Sequence, residues 1–271
     1  PIDLSNFSYY SSQLKQKVSL DQYAENNCVI ALMLLKDGRV VYEQYFRGWK
    51  TSTPLYSGSV SKTLLSLISG IAIAEGKLSM TNKVVDIFPD YSESSYSLVT
   101  VEELLRMTAG IKIQPGVDPI SGATWSEMNI SPFGAPYQNV YEYLRDKNNT
   151  VVLAPPGAVF EYASSNSSLL GLMLRKSTGK TATDYLQEKL WQPIGAENNA
   201  YWITNRRGQE NTGGSFLATL SDYAKIGLLV MNGGNSHGKQ VVPSSWVQEM
   251  TTLRKDKPDR KSTRLNSSHA N

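Results

Sequence analysis

The chain has 271 residues, 40% of them hydrophobic, with 27 basic against 24 acidic side chains and a formal charge of +3. That length can bury a large core and hold one or two subdomains. The near-balanced charge, with no basic stripe, argues against nucleic acid as a partner, and no segment reaches the ~18 uninterrupted apolar residues of a membrane helix.

The first structured stretch in chain order is a hairpin over residues 28–46. Cys28 precedes the strand-like run Val29-Ile30-Ala31-Leu32-Met33-Leu34, and a lone cysteine in that position is expected to be a buried structural thiol. Lys36-Asp37-Gly38-Arg39 links this run to a second apolar strand, and Asp-Gly suits a tight type I′ turn. The apolar run Leu64–Ala72 has helical period and predicts a helix from about Ser59 to Glu75, with Gly76 at its C-terminal cap. Thr100-Val101-Glu102-Glu103 is a capping-box pattern and opens a short helix ending before Gly110.

Residues 111–140 are rich in Pro, Gly, Ser and Asn and include Trp125 and Phe133. A segment of that length either lines a site or is a surface excursion. Pro155-Pro156-Gly157 is a turn. Helices are expected over Ser165–Lys176, over Thr183–Trp191 before Pro193, from Thr219-Leu220-Ser221-Asp222 toward Met231, and after Pro243. Gly179-Lys180-Thr181 lacks the earlier glycine of a phosphate loop, so nucleotide binding is rejected there. Two early strands make a marginal sheet. Either residues beyond the chain complete it, or the middle of the chain holds strands that the pattern does not reveal.

Both ends carry expectations. The chain opens on Pro1, so a leader peptide is neither affirmed nor denied. Residues 259–269 match one reading frame of a sequencing-library adapter, with Ala270 and Asn271 expected from its index, and the natural sequence is expected to stop near Pro258. With two histidines and one cysteine, a zinc site is a poor reading and no metal or cofactor is called for. An internal disulfide is impossible, and the redox compartment stays open. A Ser-His-Asp triad needs a histidine held against the serine. His237 sits in a Gly-rich turn and His269 in the terminal stretch.

The chemistry is carried by Ser59-Val60-Ser61-Lys62. Ser-x-x-Lys also occurs from Ser12, Ser177 and Ser236, but only Ser59 opens a buried helix. Lys62 falls one turn above Ser59 on the same face. A hydroxyl is a weak nucleophile until a base touches it, and a buried neutral amine can be that base. The free N–H groups at the helix start favour negative charge nearby. Ser61 is read as a support for the nucleophile.

Tyr56-Ser57-Gly58-Ser59-Val60-Ser61-Lys62, followed by Gly70–Leu78, resembles the class C β-lactamase-related serine hydrolases. That family includes DD-peptidases, carboxylesterases and 6-aminohexanoate-dimer-type amidases. The likeness continues through Leu104–Ile111, Pro156–Ser164, Leu169–Gly171, Gly213–Thr219, Asp222–Ala224, Asn232–Gly234 and Pro243–Val247. The resemblance implies an α+β fold, an antiparallel sheet flanked by helices plus a mostly helical subdomain. On that pattern residues 1–75 and about 200–258 form the α/β part and about 76–199 the helical part, with the C-terminal strands missing.

The same resemblance assigns roles. The first motif falls on Ser59 and Lys62, and the second on Tyr162-Ala163-Ser164, where Ser164 stands in place of asparagine. Ser164 keeps a hydrogen-bonding hydroxyl of shorter reach, and the nearby Asn166 is the other candidate substrate contact. The third motif, Lys-Thr-Gly or His-x-Gly, is absent before Pro258. The implied activity is hydrolysis of a small amide or ester through an acyl-enzyme on Ser59, with Lys62 or Tyr162 as base. The alternative is a penicillin-binding-like sensor that acylates and turns over poorly. Oligomeric state is not legible.

Overall fold

The computed structural model describes residues 3–252 except 5, 13, 115, 118–123, 126–139 and 206. The terminal stretch 259–271 and Phe133 therefore lie outside the described residues.

The chain begins with a hairpin, β1 (Ser8–Ser11) against β2 (Gln16–Ser19). It passes into α1 (Leu20–Asn26), whose cap pairs the Ser19 hydroxyl with Gln22 N–H and Gln22 Oε1 with Ser19 N–H. The expected hairpin follows as β3 (Ala31–Lys36) and β4 (Arg39–Tyr45). Asp37 and Gly38 both have positive φ, 51° and 74°, as a type I′ turn requires. Cys28 departs from expectation: it is exposed. The chain leaves α1 there with φ 53°, so its side chain turns outward before the strand begins.

Next come β5 (Leu55–Tyr56), a 3₁₀ turn over Gly58–Val60 and α2 (Ser61–Ala74). From Leu64 to Ala72 every residue of α2 is buried, which marks a helix enclosed on all sides. It packs against α6 (Ser164–Thr178), α7 (Ala182–Leu186) and α9 (Ser244–Thr251). Trp246 of α9 crosses α2 at Gly70, where a Cβ would sit 2.2 Å from the indole, and its Nε1 donates to Ser66 O at 2.9 Å.

Between α2 and α6 lie α3 (Val84–Ile87), α4 (Val101–Leu105), β6 (Ile111–Ile113), β7 (Gly116–Val117), β8 (Thr124–Trp125), α5 (Val140–Arg145) and β9 (Thr150–Val152). The Thr100–Glu103 capping box forms as expected. β6 pairs antiparallel with β9, and β7 with β8, so the stretch read as a loop holds short strands. After α7 and a π turn at Gln187–Trp191 come β10 (Tyr201–Trp202), β11 (Phe216–Ala218), α8 (Leu220–Met231), a β12 (Asn235–Ser236)–β13 (Lys239–Gln240) hairpin and α9.

β10, β11 and β5 form a three-stranded antiparallel sheet in that order, with Tyr201 opposite Leu217 and Leu217 opposite Tyr56. Among the described residues β3 and β4 pair only with each other, while α8 lies against β3. The fold is mixed helix and antiparallel sheet, as the resemblance implied. The later strands escaped the sequence reading because each spans two or three residues, too few for an alternation to register.

Candidate active site

Ser59 occupies the 3₁₀ turn that leads into α2, and Lys62 the first turn of that helix. Lys62 is fully buried. Its Nζ donates to Ser59 Oγ at 3.2 Å, to Ser164 Oγ at 3.3 Å and to the Gly213 carbonyl. The same amine lies 5.0 Å from the centroid of the Tyr162 ring. One amine thus gathers segments more than a hundred residues apart in sequence.

The placement of Tyr162 follows from backbone pairing. Beyond β9 the chain continues alongside residues 107–110. Leu153 N–H donates to Gly110 O at 2.8 Å, Gly157 N–H to Thr108 O at 2.7 Å and Glu161 N–H to Met107 O at 2.8 Å. Tyr162 comes next, then Ala163 in extended conformation as the N-cap of α6, so Ser164 opens that helix toward Lys62.

A third wall was not singled out from the sequence. In residues 211–215, Gly213 approaches the start of α6 so closely that a Cβ there would lie 2.9 Å from Ser164 O. This approach brings its carbonyl to Lys62. The flanking Thr212 is tied twice, its Oγ1 donating to Ser167 O at 2.9 Å and its carbonyl accepting from Ser61 Oγ at 3.1 Å. Trp202 Nε1 donates to Ser61 Oγ at 2.7 Å. Ser61 is buried and held between the two segments. The sequence marked this segment by the family likeness over Gly213–Thr219 and by the Gly213-Gly214 pair, since close backbone approach is what glycine permits.

Asn166 is fully buried, with Oδ1 accepting from Tyr96 OH at 3.3 Å and Nδ2 donating to Met107 Sδ at 3.8 Å. Two residues along a helix turn the side chain roughly 200°, so Asn166 faces the core on the side away from Ser164. His237 stands exposed in the β12–β13 turn beside Gly195. Among the described residues no group of three or more His, Cys, Asp or Glu side chains is placed to hold a metal ion.

The Ser-x-x-Lys pair at the head of an enclosed helix thus meets a tyrosine ring and a hydroxyl from the start of a second helix. The Beta-lactamase family profile matches residues 25–266, and the chain belongs to that family. The match runs into the stretch read above as foreign. Over 240 residues the chain is 27% identical to a 6-aminohexanoate-dimer hydrolase of Paenarthrobacter ureafaciens, covering 85% of this chain and 59% of that protein. It is 25% identical to a beta-lactamase of Escherichia coli K12 over 54% of this chain and 34% of the other. A solved structure from Bacillus anthracis, named provisionally as a 6-aminohexanoate-dimer hydrolase, superposes with a TM-score of 0.81 at 23% identity, over 94% of this chain and 67% of that one. The chain therefore spans little more than half the length of the first of these relatives.

Proposed function

We propose that this protein is a serine hydrolase that forms an acyl-enzyme on Ser59 and acts on an amide or ester. The observation that supports this most is the single buried amine of Lys62, in contact with Ser59 Oγ, Ser164 Oγ and the Gly213 carbonyl. All three contacts take Nζ as the donor, so to act as base Lys62 must first give up a proton, after which its lone pair can accept the proton of the Ser59 hydroxyl.

In the first step Ser59 Oγ attacks the substrate carbonyl carbon and its proton passes to Lys62. The oxyanion forms beside the Ser59 N–H at the helix start, where backbone dipoles stabilise it. Collapse breaks the bond to the leaving amine or alcohol, which takes a proton from the Lys62–Tyr162 pair. Water then attacks the Ser59 ester, loses a proton to the same pair and releases the carboxylic acid, restoring the serine. The relatives named for amide and lactam hydrolysis support this substrate class. On the expected division of the chain, Ser59, Lys62 and Gly213 come from one unit and Tyr162 and Ser164 from the other, and the site lies where they meet.

A fluorophosphonate probe should add its mass to the Ser59 peptide of the protein, and Ser59→Ala should abolish the label. Equal labelling of the variant would overturn the assignment. The presence of Ser164, with no amide to donate, favours one second reading, an acyl-binding sensor. A stable adduct on Ser59 with no release of acid would select it.

A further inference from the structure

We infer that Tyr56, Leu217 and Tyr201 form an apolar strip that receives the hydrocarbon part of the substrate acylated on Ser59. The inference rests on the proposed acyl-enzyme and adds the class of substrate, an amide or ester carrying an extended alkyl or aryl group.

The argument starts from register. Tyr201 pairs with Leu217, and Leu217 with Tyr56. Directly opposed residues of an antiparallel sheet point to the same face. The alternate residues Leu55, Trp202 and Phe216 are buried, so this face is the outer one. On it Tyr56 is 61% and Tyr201 52% exposed, with Leu217 half-buried between them. Neighbouring strands lie ~4.8 Å apart, so the row is about 10 Å long. Its near end is three residues before the nucleophile, with the Tyr56 Cε1 atom 3.7 Å from where a Gly58 Cβ would stand.

The near ring is also anchored, which an idle surface tyrosine does not need. Tyr56 OH lies 3.3 Å from Ser215 Oγ, which accepts from Asn211 Nδ2 at 3.0 Å. Ser215 is buried and holds φ at 63°. That left-handed geometry costs energy in a residue with a Cβ and persists where the surroundings enforce it, often beside functional sites. A fixed, exposed ring next to a nucleophile is an aromatic contact surface with little mobility left to lose on binding.

The test uses p-nitrophenyl acetate, butyrate and octanoate. In Tyr56→Ala the octanoate-to-acetate ratio of kcat/KM should fall about tenfold, the scale of an apolar subsite. Tyr201→Ala, at the far end, should lower the octanoate-to-butyrate ratio and leave butyrate-to-acetate as it was, and Tyr56→Phe should keep the wild-type ratios within about twofold. Variants that scale all three esters by one factor, or none, would overturn the strip. Octanamide binding, followed by tyrosine fluorescence, separates the two proposals. If Ser59 takes no fluorophosphonate label yet octanamide affinity drops in Tyr56→Ala, the strip stands and the acyl-enzyme falls. Label on Ser59 with octanamide affinity indifferent to Tyr56 and Tyr201 would do the reverse.

Discussion

At Lys62 one buried amine touches two hydroxyls and a carbonyl, so its removal should affect both chemistry and packing. Lys62→Ala should lower kcat by about 10²–10⁴, the usual worth of a positioned proton carrier, as read with p-nitrophenyl acetate. It should also lower the melting temperature, because the Gly213 carbonyl loses a buried donor. Gly213→Ala tests the other side of the same contact. Its Cβ would stand 2.9 Å from Ser164 O, so the carbonyl must withdraw from Lys62. Activity should drop at least about tenfold, with the drop in kcat rather than KM. Wild-type turnover in Gly213→Ala would show that the third wall is not needed. The pair Ser59 and Lys62 was legible from a local rule, one helical turn of spacing ahead of an apolar run. The inward placement of Asn166 was not legible, because nearness in sequence says nothing about the direction in which a helix points each side chain.

At the scale of the element, α2 is where the sequence spoke most clearly. Its apolar run, its start at the Ser-x-x-Lys and its end before Gly76 agree with the structure within the usual drift of helix ends. Hidden from the sequence was the reason for Gly70 within it, which is the ring of Trp246 from a helix almost 180 residues later. A Cβ at Gly70 would lie 2.2 Å from that indole. Gly70→Ala, normally favourable inside a helix, should here destabilise by about 1–3 kcal/mol through overpacking. Urea unfolding measures it, and a stabilised variant would mean that α9 does not seat there. The β6–β9 pair was illegible for another reason. Its strands, three residues each, are joined by backbone bonds between segments about forty residues apart, which no local pattern encodes.

For the whole molecule, acid is the informative perturbation. Burial opposes the charge on Asp222, but the Glu197 N–H at 2.9 Å, Thr219 Oγ1 at 2.8 Å, the Asn198 amides and Lys225 outweigh it and lower its pKa. Burial likewise opposes the Glu75 carboxylate, yet hydrogen bonds from Lys189, Lys77 and Tyr185 bring its pKa from 4.5 to about 2. Both folded values lie below the unfolded ones. Their stabilisation is therefore complete above the unfolded values, about 4, and is lost as pH falls through the folded values. The melting temperature should hold steady from pH 7 to about 5 and fall steeply below about 4. Asp222→Asn should be less stable at neutral pH and show a shallower acid slope; an unaltered slope would remove Asp222 from the account.

The sequence by itself determined the nucleophile helix, the β3–β4 hairpin with its Asp-Gly turn, the caps at Thr100 and Thr219, and the family. The helix, the hairpin and the caps are written in residues close along the chain, and the family in several such local motifs taken in order. The tertiary structure alone decided that the Gly213 carbonyl meets Lys62, that Asn166 turns into the core, and that Tyr56 and Tyr201 share an exposed face. Those facts depend on chain segments far apart in sequence approaching within hydrogen-bond distance or falling into strand register. That is settled by packing around α2, where glycine at 70 and 213 leaves room for a neighbour, and not by the propensity of any residue.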